Sequence, residues 1–372
     1  MVKVKNLSVL LLLLVIFLGS CTKYKNPTPA FPPPPVTSDG WQVSSLSGQQ
    51  IDIDQITRAD AALKNDPSFV NIHTLTIVRN GKLVFDEFYH AGPFGYHKGN
   101  LTTMQSVTKS FTSLVIGIAI NHRLIKDVNQ TAQSLLPKLT TINWSSGKDK
   151  ITVRHILTMS AGFAGNEHSD SLLPAHFAAY MFSKPLAYTP GTVFDYRTAL
   201  TNTLGDILTT ALFPLHISLK KFMDSLLFQP LDIKNYQWVY TDKAGIPELG
   251  GGLFLAPRDM AKLGQLVLSN GKWNNRQIVP AQWIEAATRE YFHFSPRYWG
   301  ELDGYGYLFW HRTLVSNGKT FKAIIALGYG GQYVVIIPSL KAVIAITSWF
   351  PRDRNWQTPL HFVEDYLLPA FQ

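Results

Sequence analysis

The sequence predicts an α+β fold, with an antiparallel sheet flanked by helices and a mainly helical insertion between the strands from the two ends of the chain. The first observation is LTIVRNGKLVFDEFY, two β-rich runs joined by Asn80-Gly81, which favours a tight type I′ hairpin turn. The second is the series FKAIIAL, QYVVIIPS and KAVIAITSW, which predicts three adjacent antiparallel strands. The third is the helical pattern from Ile151 to about Tyr298.

The composition is that of a folded globular protein. Of the 372 residues, 46% are hydrophobic and only 16% are charged, which leaves little room for extensive disorder and enough chain for one large domain or two. The net charge of +9 comes from scattered Lys and Arg, so it gives little support to nucleic-acid binding. We find no second linker and assign residues 46–372 to one domain.

The first residues have the pattern of a bacterial lipoprotein signal peptide, assigned to residues 1–20. Lys3 and Lys5 precede the apolar run VLLLLLVIFL, which is too short for a comfortable membrane span. Small residues then lead to Cys21, the only cysteine, which we interpret as the lipid acceptor. An uncleaved anchor with an incidental cysteine is the alternative.

Residues 21–45 are rich in Pro and polar residues and predict an extended tether after the lipidated terminus. We therefore expect an exported lipoprotein, anchored to a membrane of the bacterial cell envelope and facing the periplasm or the cell exterior.

The segment MQSVTKSFTSLVIGIAI predicts a buried helix from Met104 to His122 that carries a lysine in its first turns. Residues three apart on a helix share a face, so Lys109 can reach the Ser106 hydroxyl. Desolvation lowers the pKa of a buried lysine, and the neutral amine could then remove the serine proton. In the alternative, Ser106 only caps the helix and Lys109 extends to solvent.

Two further segments supply partners for this pair. PGTVFDYRTALTNTL places Tyr196 just ahead of an apolar helix, where its phenol could lose its proton beside a lysine ammonium and relay it. In ALGYGGQYVVIIP, Gly328, Gly330 and Gly331 allow a backbone N–H to approach developing negative charge. The alternatives are a core tyrosine and a tight hairpin turn.

Six segments occur in the order seen in the serine β-lactamase and penicillin-binding protein superfamily. From about Ile72 onward the chain resembles its class C-related branch, which includes esterases, D-amino-peptidases and 6-aminohexanoate-dimer hydrolases. The resemblance implies a β-lactamase-like (transpeptidase-like) fold and hydrolysis through an acylated serine. The segments are SVTKSFTSLVIGIAI, ITVRHILTMSAGF, PGTVFDY, GGLFLAPRDMAKLGQLVLSNGKW, YGYLFW and GYGGQYVVIIPS.

The resemblance also implies roles. Ser106 would be the nucleophile, Lys109 its base partner and Tyr196 the tyrosine of the family's Tyr-x-Asn element. The backbone N–H groups of Ser106 and Gln332 would form the oxyanion hole. The substrate-binding positions would be Thr198, Tyr329, Gly330 and Gly331, with 329–331 as the counterpart of the Lys-Thr-Gly or His-x-Gly strand.

Two positions depart from the family pattern. Thr198 stands where Tyr-x-Asn has its amide, and Tyr329 stands where the third element has Lys or His. The second change removes the cation that β-lactamases and peptidases use with a substrate carboxylate, and both changes weaken the case for β-lactam or D-Ala-D-Ala hydrolysis. The GYGGQ form resembles the branch that contains the 6-aminohexanoate-dimer hydrolases, which implies a small ester or amide substrate.

Residues 165–185 would flank the pocket, and four of their polar side chains are either candidates to line it or surface loop residues: His168, Asp170, His176 and Tyr180. The eleven histidines show no metal-ligand spacing, so we predict no catalytic metal and no cofactor.

Three functions remain open at this stage. The first is a serine hydrolase of small esters or amides. The second is a penicillin-binding DD-peptidase or β-lactamase. The third is a non-catalytic lipoprotein that binds cell-wall fragments.

Overall fold

A computed structural model contains an eight-stranded antiparallel sheet with the order β2-β1-β13-β12-β11-β10-β9-β8. Its strands are β1 (Ile72–Arg79), β2 (Lys82–Phe88), β8 (Phe292–Tyr298), β9 (Leu302–Tyr305), β10 (Trp310–Ser316), β11 (Lys319–Gly328), β12 (Gln332–Ile337) and β13 (Ala342–Ser348). The remaining strands are β3 (Thr102–Thr103), β4 (Tyr236–Trp238) and β5 (Leu253–Leu255) in a three-stranded sheet, and β6 (Lys272–Trp273) and β7 (Arg276–Gln277) in a hairpin.

The structure describes residues 31–92, 100–170, 174, 176–239, 245–350 and 354–371. Pro33–Gln372 form one compact unit, and Met1–Pro32 form another, of which only residues 31 and 32 are described. The predicted signal peptide 1–20, Cys21 and residues 21–30 of the predicted tether lie outside the described residues.

The α-helices are distributed along the whole of this unit. They are α1 (Ile53–Asn65), α2 (Val107–Asn121), α3 (Ala132–Leu135), α4 (Val153–Leu157), α5 (Phe177–Ser183), α6 (Thr198–Leu212), α7 (Leu219–Met223), α8 (Pro257–Leu268), α9 (Ala281–Ala287) and α10 (Thr358–Phe362). None of the helices in the described ranges combines the length and apolar character that crossing a membrane requires.

The predicted sheet is confirmed at both ends of the chain. Asn80 and Gly81 have φ of 51° and 78°, the two positive values that a type I′ turn needs between β1 and β2. The three late strands are neighbours, and β13 pairs with β1, with Ile77 opposite Ile344. Strands from the two ends of the chain therefore pair within one sheet.

The long buried helix is also confirmed. In α2 every residue from Val107 to Ala119 is buried, and the helix packs against β11 and β12. The cap position is Ser106, so the predicted nucleophile lies where the helix begins. The described chain ends in α10, continued by a π-helical and a 3-10 segment over Val363–Leu367 and Leu368–Phe371.

The prediction of a mainly helical region from Ile151 to Tyr298 is wrong at the C-terminal end of that region, and it missed short strands within the region. Residues Phe292–Tyr298 form β8, an edge strand of the main sheet, and β4 to β7 also lie in this region. In FHFSPRY, residues two apart lie on one side of a strand, so Phe292, Phe294 and Tyr298 all reach the ring of Phe194. This shared aromatic contact outweighs the helical pattern of the preceding sequence.

The folded unit begins before residue 46, the boundary predicted for the tether. Trp41 is buried and its ring packs edge-on against Trp273 at 4.8 Å between centroids. Val43 forms a parallel bridge to Leu83, and Asp39 pairs with Arg258 at 2.7 Å. Apolar burial and these bonds attach the end of the Pro-rich segment to the sheet.

Candidate active site

Ser106 and Lys109 lie in the first turn of α2 and are directly hydrogen-bonded. Lys109 is 2% exposed, and its Nζ donates to Ser106 Oγ at 2.9 Å. The same ammonium donates to Thr198 Oγ1 at 2.9 Å and to the Gly250 carbonyl at 2.7 Å. The alternative in which Lys109 extends to solvent is therefore wrong.

Burial lowers the pKa of Lys109 to about 8, because the charged form loses its hydration. The carboxylates of Glu167 and Glu248 oppose this shift but do not reverse it. The predicted direction of the Lys109 shift is confirmed. A substantial fraction of the side chain is a neutral amine near neutral pH, and this form can accept a proton from Ser106.

Tyr196 completes a cluster of three reactive side chains. Its hydroxyl interacts with Ser106, and its ring lies 4.8 Å from Lys109 Nζ. Burial raises the pKa of Tyr196 far above its usual range, despite the opposing effect of Ser106. The prediction of an easily deprotonated phenol is therefore wrong. The neutral phenol can donate a proton or a hydrogen bond, while Lys109 supplies the base.

Glu167 is a site residue that the sequence analysis missed. Its Oε1 accepts a hydrogen bond from Thr198 Oγ1 and its Oε2 accepts one from the Thr198 backbone N–H, both at 2.6 Å. The second bond places a carboxylate at the N-terminus of α6, where the helix dipole favours it. Glu167 belongs to no motif, and its only sequence signal was its place in the stretch predicted to flank the pocket.

A buried ion pair fixes the loop that carries Glu167. Arg197, between Tyr196 and Thr198, is 1% exposed and binds Asp170 through two nitrogens. It also donates to the carbonyls of Phe163 and Ala164. One guanidinium therefore joins both ends of the Glu167 loop to the start of α6.

The four candidates of the 165–185 stretch separate in the structure. His168 lines the cavity over Ser106, whereas Asp170 is buried against Arg197. Tyr180 lies beside Asp170, its hydroxyl 3.4 Å from Asp170 Oδ1, and His176 is an exposed residue at the start of α5.

The turn after β11 lies beside the serine. Gly328 is packed so closely that a Cβ there would meet the Met104 carbonyl oxygen at 2.5 Å. Tyr329 and Gly330 line the cavity, and Tyr329 is 58% exposed. The structure places Gly331 and Gln332 outside the cavity wall: Gln332 begins β12 opposite Gly328, and its side chain donates to the Ser348 carbonyl. Gln332 is thus not brought to the cavity.

A cavity of about 570 Å³ opens over Ser106, and five Trp and Tyr side chains form an aromatic part of its wall. Trp310 stacks on Tyr196 with centroids 5.4 Å apart, and Trp299 contacts both Trp310 and Trp356. Trp299 is half exposed and has a φ of 52°, a left-handed conformation that is costly for a bulky residue. The wall consists of Ser106, Glu167, His168, Tyr196, Trp299, Trp310, Leu327, Gly328, Tyr329, Gly330, Trp356 and Gln357.

Within the described ranges, no group of three or more His, Cys, Asp or Glu side chains is arranged to hold a metal ion.

Comparison with known proteins identifies the family. The family model described as Beta-lactamase matches residues 73–356, about three quarters of the chain. The chain belongs to the beta-lactamase family. This confirms the resemblance drawn from the six sequence segments and the fold predicted from it.

Within the beta-lactamase family, the chain is 23% identical over 302 residues to the 6-aminohexanoate-dimer hydrolase of Paenarthrobacter ureafaciens, covering 75% of this chain and 74% of that protein. A Bacillus anthracis structure described as a candidate 6-aminohexanoate-dimer hydrolase has a TM-score of 0.64 at 22% identity, over 91% of this chain and 87% of that one. A family VIII carboxylesterase has a TM-score of 0.62 at 16% identity, over 79% and 90%. The names of these similar proteins are thus those of 6-aminohexanoate-dimer hydrolases and of a carboxylesterase.

Proposed function

We propose that the protein is a serine hydrolase that cleaves an ester or small amide bond through an acyl-Ser106 intermediate. The observation that supports this most is the 2.9 Å hydrogen bond between Lys109 Nζ and Ser106 Oγ at the base of an open cavity. A nucleophile within hydrogen-bond reach of a base with a lowered pKa is the arrangement that acyl transfer needs.

Acylation begins with neutral Lys109 removing the Ser106 proton as Oγ attacks the acyl carbon. The carbonyl π electrons move to oxygen, giving a tetrahedral oxyanion and a Lys109 ammonium. The oxyanion then collapses, the bond to the leaving alkoxide or amine breaks, and the leaving group takes a proton from Lys109, directly or through Tyr196. In deacylation, a water molecule gives one proton to neutral Lys109 as its oxygen attacks the acyl carbon. The bond between the acyl carbon and Ser106 Oγ then breaks, Oγ takes the proton back from Lys109, and the acid leaves.

The backbone N–H groups of Ser106 and Tyr329 form the oxyanion hole in this proposal, instead of Ser106 and Gln332. Supporting this assignment, Tyr329 follows Gly328, whose backbone contacts the segment just before Ser106, and Tyr329 lines the cavity. Gln332 lies three residues further on, in β12. Two N–H groups directed at one oxygen stabilise the charge that develops there.

The aromatic wall favours a substrate with an apolar part next to the reacting bond. The side chains of Trp299, Trp310 and Trp356 offer a large contact area for such a group. None of the described residues in the wall is Lys or Arg, which lowers the rank of the DD-peptidase and β-lactamase alternative. A third alternative, the non-catalytic binding protein, also loses rank, because Lys109 is hydrogen-bonded to Ser106 and lies against the ring of Tyr196.

The test is intact-mass spectrometry and turnover of residues 33–372, for wild type and Ser106→Ala. One sample receives p-nitrophenyl acetate and another benzylpenicillin. We expect Ser106-dependent turnover or adduct with the ester and none with penicillin. A lasting penicillin adduct would favour the peptidase alternative, and no Ser106-dependent reaction with either compound would favour the binding protein.

We further propose that the mature protein is a lipoprotein of the bacterial cell envelope, acylated at Cys21. The support is the basic and apolar run that ends at this cysteine. Full-length wild type and Cys21→Ala, expressed in bacteria and fractionated, provide the test. Wild type is expected in membranes with acyl mass on its N-terminal peptide, and equal distribution of the two forms would contradict the proposal.

A further inference from the structure

Thr198 contacts Lys109 on one side and Glu167 on the other. Thr198 Oγ1 lies 2.9 Å from Lys109 Nζ and 2.6 Å from Glu167 Oε1. We propose that Glu167 is a positioning residue that acts through Thr198 to direct the lone pair of Lys109 at Ser106. This inference rests on the proposed acyl-Ser106 chemistry and adds to it a residue outside the motifs.

The protons available on Glu167 and Thr198 determine which of the two donates the hydrogen bond between them. A threonine hydroxyl has one proton to donate and two lone pairs that accept. An ionised Glu167 can only accept, so the Thr198 proton is held by Glu167 Oε1. Thr198 Oγ1 can then offer only a lone pair to Lys109.

The same count fixes the orientation of Lys109. As an ammonium it has three N–H groups, which go to Ser106, Thr198 and the Gly250 carbonyl. A neutral amine has two N–H groups and one lone pair. Thr198 Oγ1 and the Gly250 oxygen can both only accept, so they keep the two N–H groups. The lone pair is left facing the Ser106 hydroxyl, as the proton transfer requires.

Glu167 itself is held at two points. Its second oxygen accepts from the Thr198 backbone N–H at 2.6 Å, so the carboxylate cannot turn away from Thr198 without losing that bond. The bonds from Arg197 to Asp170 and to the Ala164 carbonyl fix the loop on either side of Glu167. This support distinguishes Glu167 from a solvated surface carboxylate.

Replacing Glu167 with Gln keeps the shape of the side chain but reverses the direction of its hydrogen bond with Thr198 Oγ1. The Thr198 N–H needs an acceptor, so the amide oxygen faces it and the amide NH₂ faces Thr198 Oγ1. The Thr198 proton is then free to point at Lys109, where it competes with Ser106 for the lone pair. Glu248→Gln is the control for the loss of charge. Glu248 interacts with Lys109 through its charge as Glu167 does, so each variant removes one negative charge that acts on Lys109.

The experiment measures pre-steady-state acylation of residues 33–372 by p-nitrophenyl acetate from pH 6 to 10. The acylation rate should rise with pH as Lys109 loses its proton. Removing either carboxylate should shift this rise to lower pH. Only Glu167→Gln is expected to lower the plateau at high pH, by about tenfold or more, because general-base catalysis contributes at least that much. Glu248→Gln should stay within about threefold of wild type.

Thr198→Val provides a second route if Glu167→Gln does not fold, as judged by its melting curve. Loss of the hydroxyl should lower the plateau as much as Glu167→Gln, and adding Glu167→Gln to it should change the rate by less than about twofold. Wild-type turnover with equal plateaus for wild type, Glu167→Gln and Thr198→Val would overturn this inference alone. Wild type without Ser106-dependent turnover would overturn the proposed function and this inference with it.

Discussion

At the residue scale, the site depends on moving one charged side chain out of water. Lys109 lies inside α2 with all three N–H groups bonded, and burial lowers its pKa to about 8. Ser106 and Tyr196 remain protonated in the resting site, so the titration of Lys109 determines when the nucleophile can react.

The first prediction concerns pH. Neutral Lys109 is the reactive form, so kcat/KM for a neutral ester should rise about tenfold per pH unit below pH 7 and level off above about pH 9. The midpoint should lie near the Lys109 pKa of about 8. Lys109→Gln should abolish both the rise of kcat/KM with pH and the Ser106-dependent hydrolysis of the ester. A rate that falls as pH rises through 8 would contradict the role of the amine as base.

The second prediction concerns Gly328. In Gly328→Ala the new Cβ would meet the Met104 carbonyl oxygen at 2.5 Å, so β11 must move away from the start of α2. The Tyr329 N–H would move with it, and loss of one oxyanion donor costs about 100-fold in kcat. Gly251→Ala is the control, because the nearest atom to its Cβ is 3.5 Å away. Equal rates for the two variants in ester hydrolysis would refute the assignment.

At the element scale, three of the site residues lie where an element begins or ends: Ser106 at the start of α2, Thr198 at the start of α6 and Tyr329 after β11. The sequence predicts α2, the β1–β2 hairpin and the three late strands because each has a strong local pattern. It did not predict β8, whose aromatic residues pack against a distant ring, Phe194.

The same limit applies inside the site. Ser106, Lys109 and Tyr196 lie in recognisable motifs, and the structure brings them together. The role of Glu167 depends on a loop folding back 31 residues to Thr198, which has no local signal. The resemblance put the second oxyanion donor at Gln332, directly after the residues 329–331 that were matched to the Lys-Thr-Gly strand. The close packing of Gly328 against Met104 supports Tyr329 in our proposal, and this contact has no local signal in the sequence.

The third prediction concerns the loop between α4 and α6. Asp170→Asn would leave the buried Arg197 without its paired charge, which costs about 3–5 kcal/mol in the free energy of unfolding. The loop carrying Glu167 should loosen and the ester hydrolysis rate should fall. Asp195→Asn is the matched control, since Asp195 contacts the same Arg197 at only 3.4 Å and is more exposed. Urea unfolding should separate the two variants, and equal midpoints would show that the pair does not fix the loop.

At the scale of the whole molecule, the segment before residue 46 completes the fold. Trp41 fills a buried position against Trp273, and its indole N–H donates to the Arg258 carbonyl at 3.1 Å. The Leu83 backbone exchanges bonds with Gln42 and Ser44. Residues 39–44, which the composition assigns to the predicted tether, therefore belong to the folded unit.

The fourth prediction follows for truncation and for Trp41. A chain starting at residue 46 should be less stable than one starting at residue 33, and Trp41→Ala should lose about 3 kcal/mol through the cavity it leaves. Phe213→Ala is the control, because Phe213 is 64% exposed. Calorimetric melting temperatures give the comparison. If the chain that starts at residue 46 melted at the same temperature as the chain that starts at residue 33, residues 33–45 would not contribute to the stability of the fold.

The pairing of β1 with β13 has a consequence for the order of events during synthesis. β1 is made early, but its two sheet neighbours are β2, which follows at once, and β13, one of the last strands to leave the ribosome. Contacts so distant in sequence form slowly, because a long loop must close first. Until translation is almost complete, β1 and β2 form an isolated hairpin with an open, apolar edge, a form that chaperones can bind and that has no assembled active site.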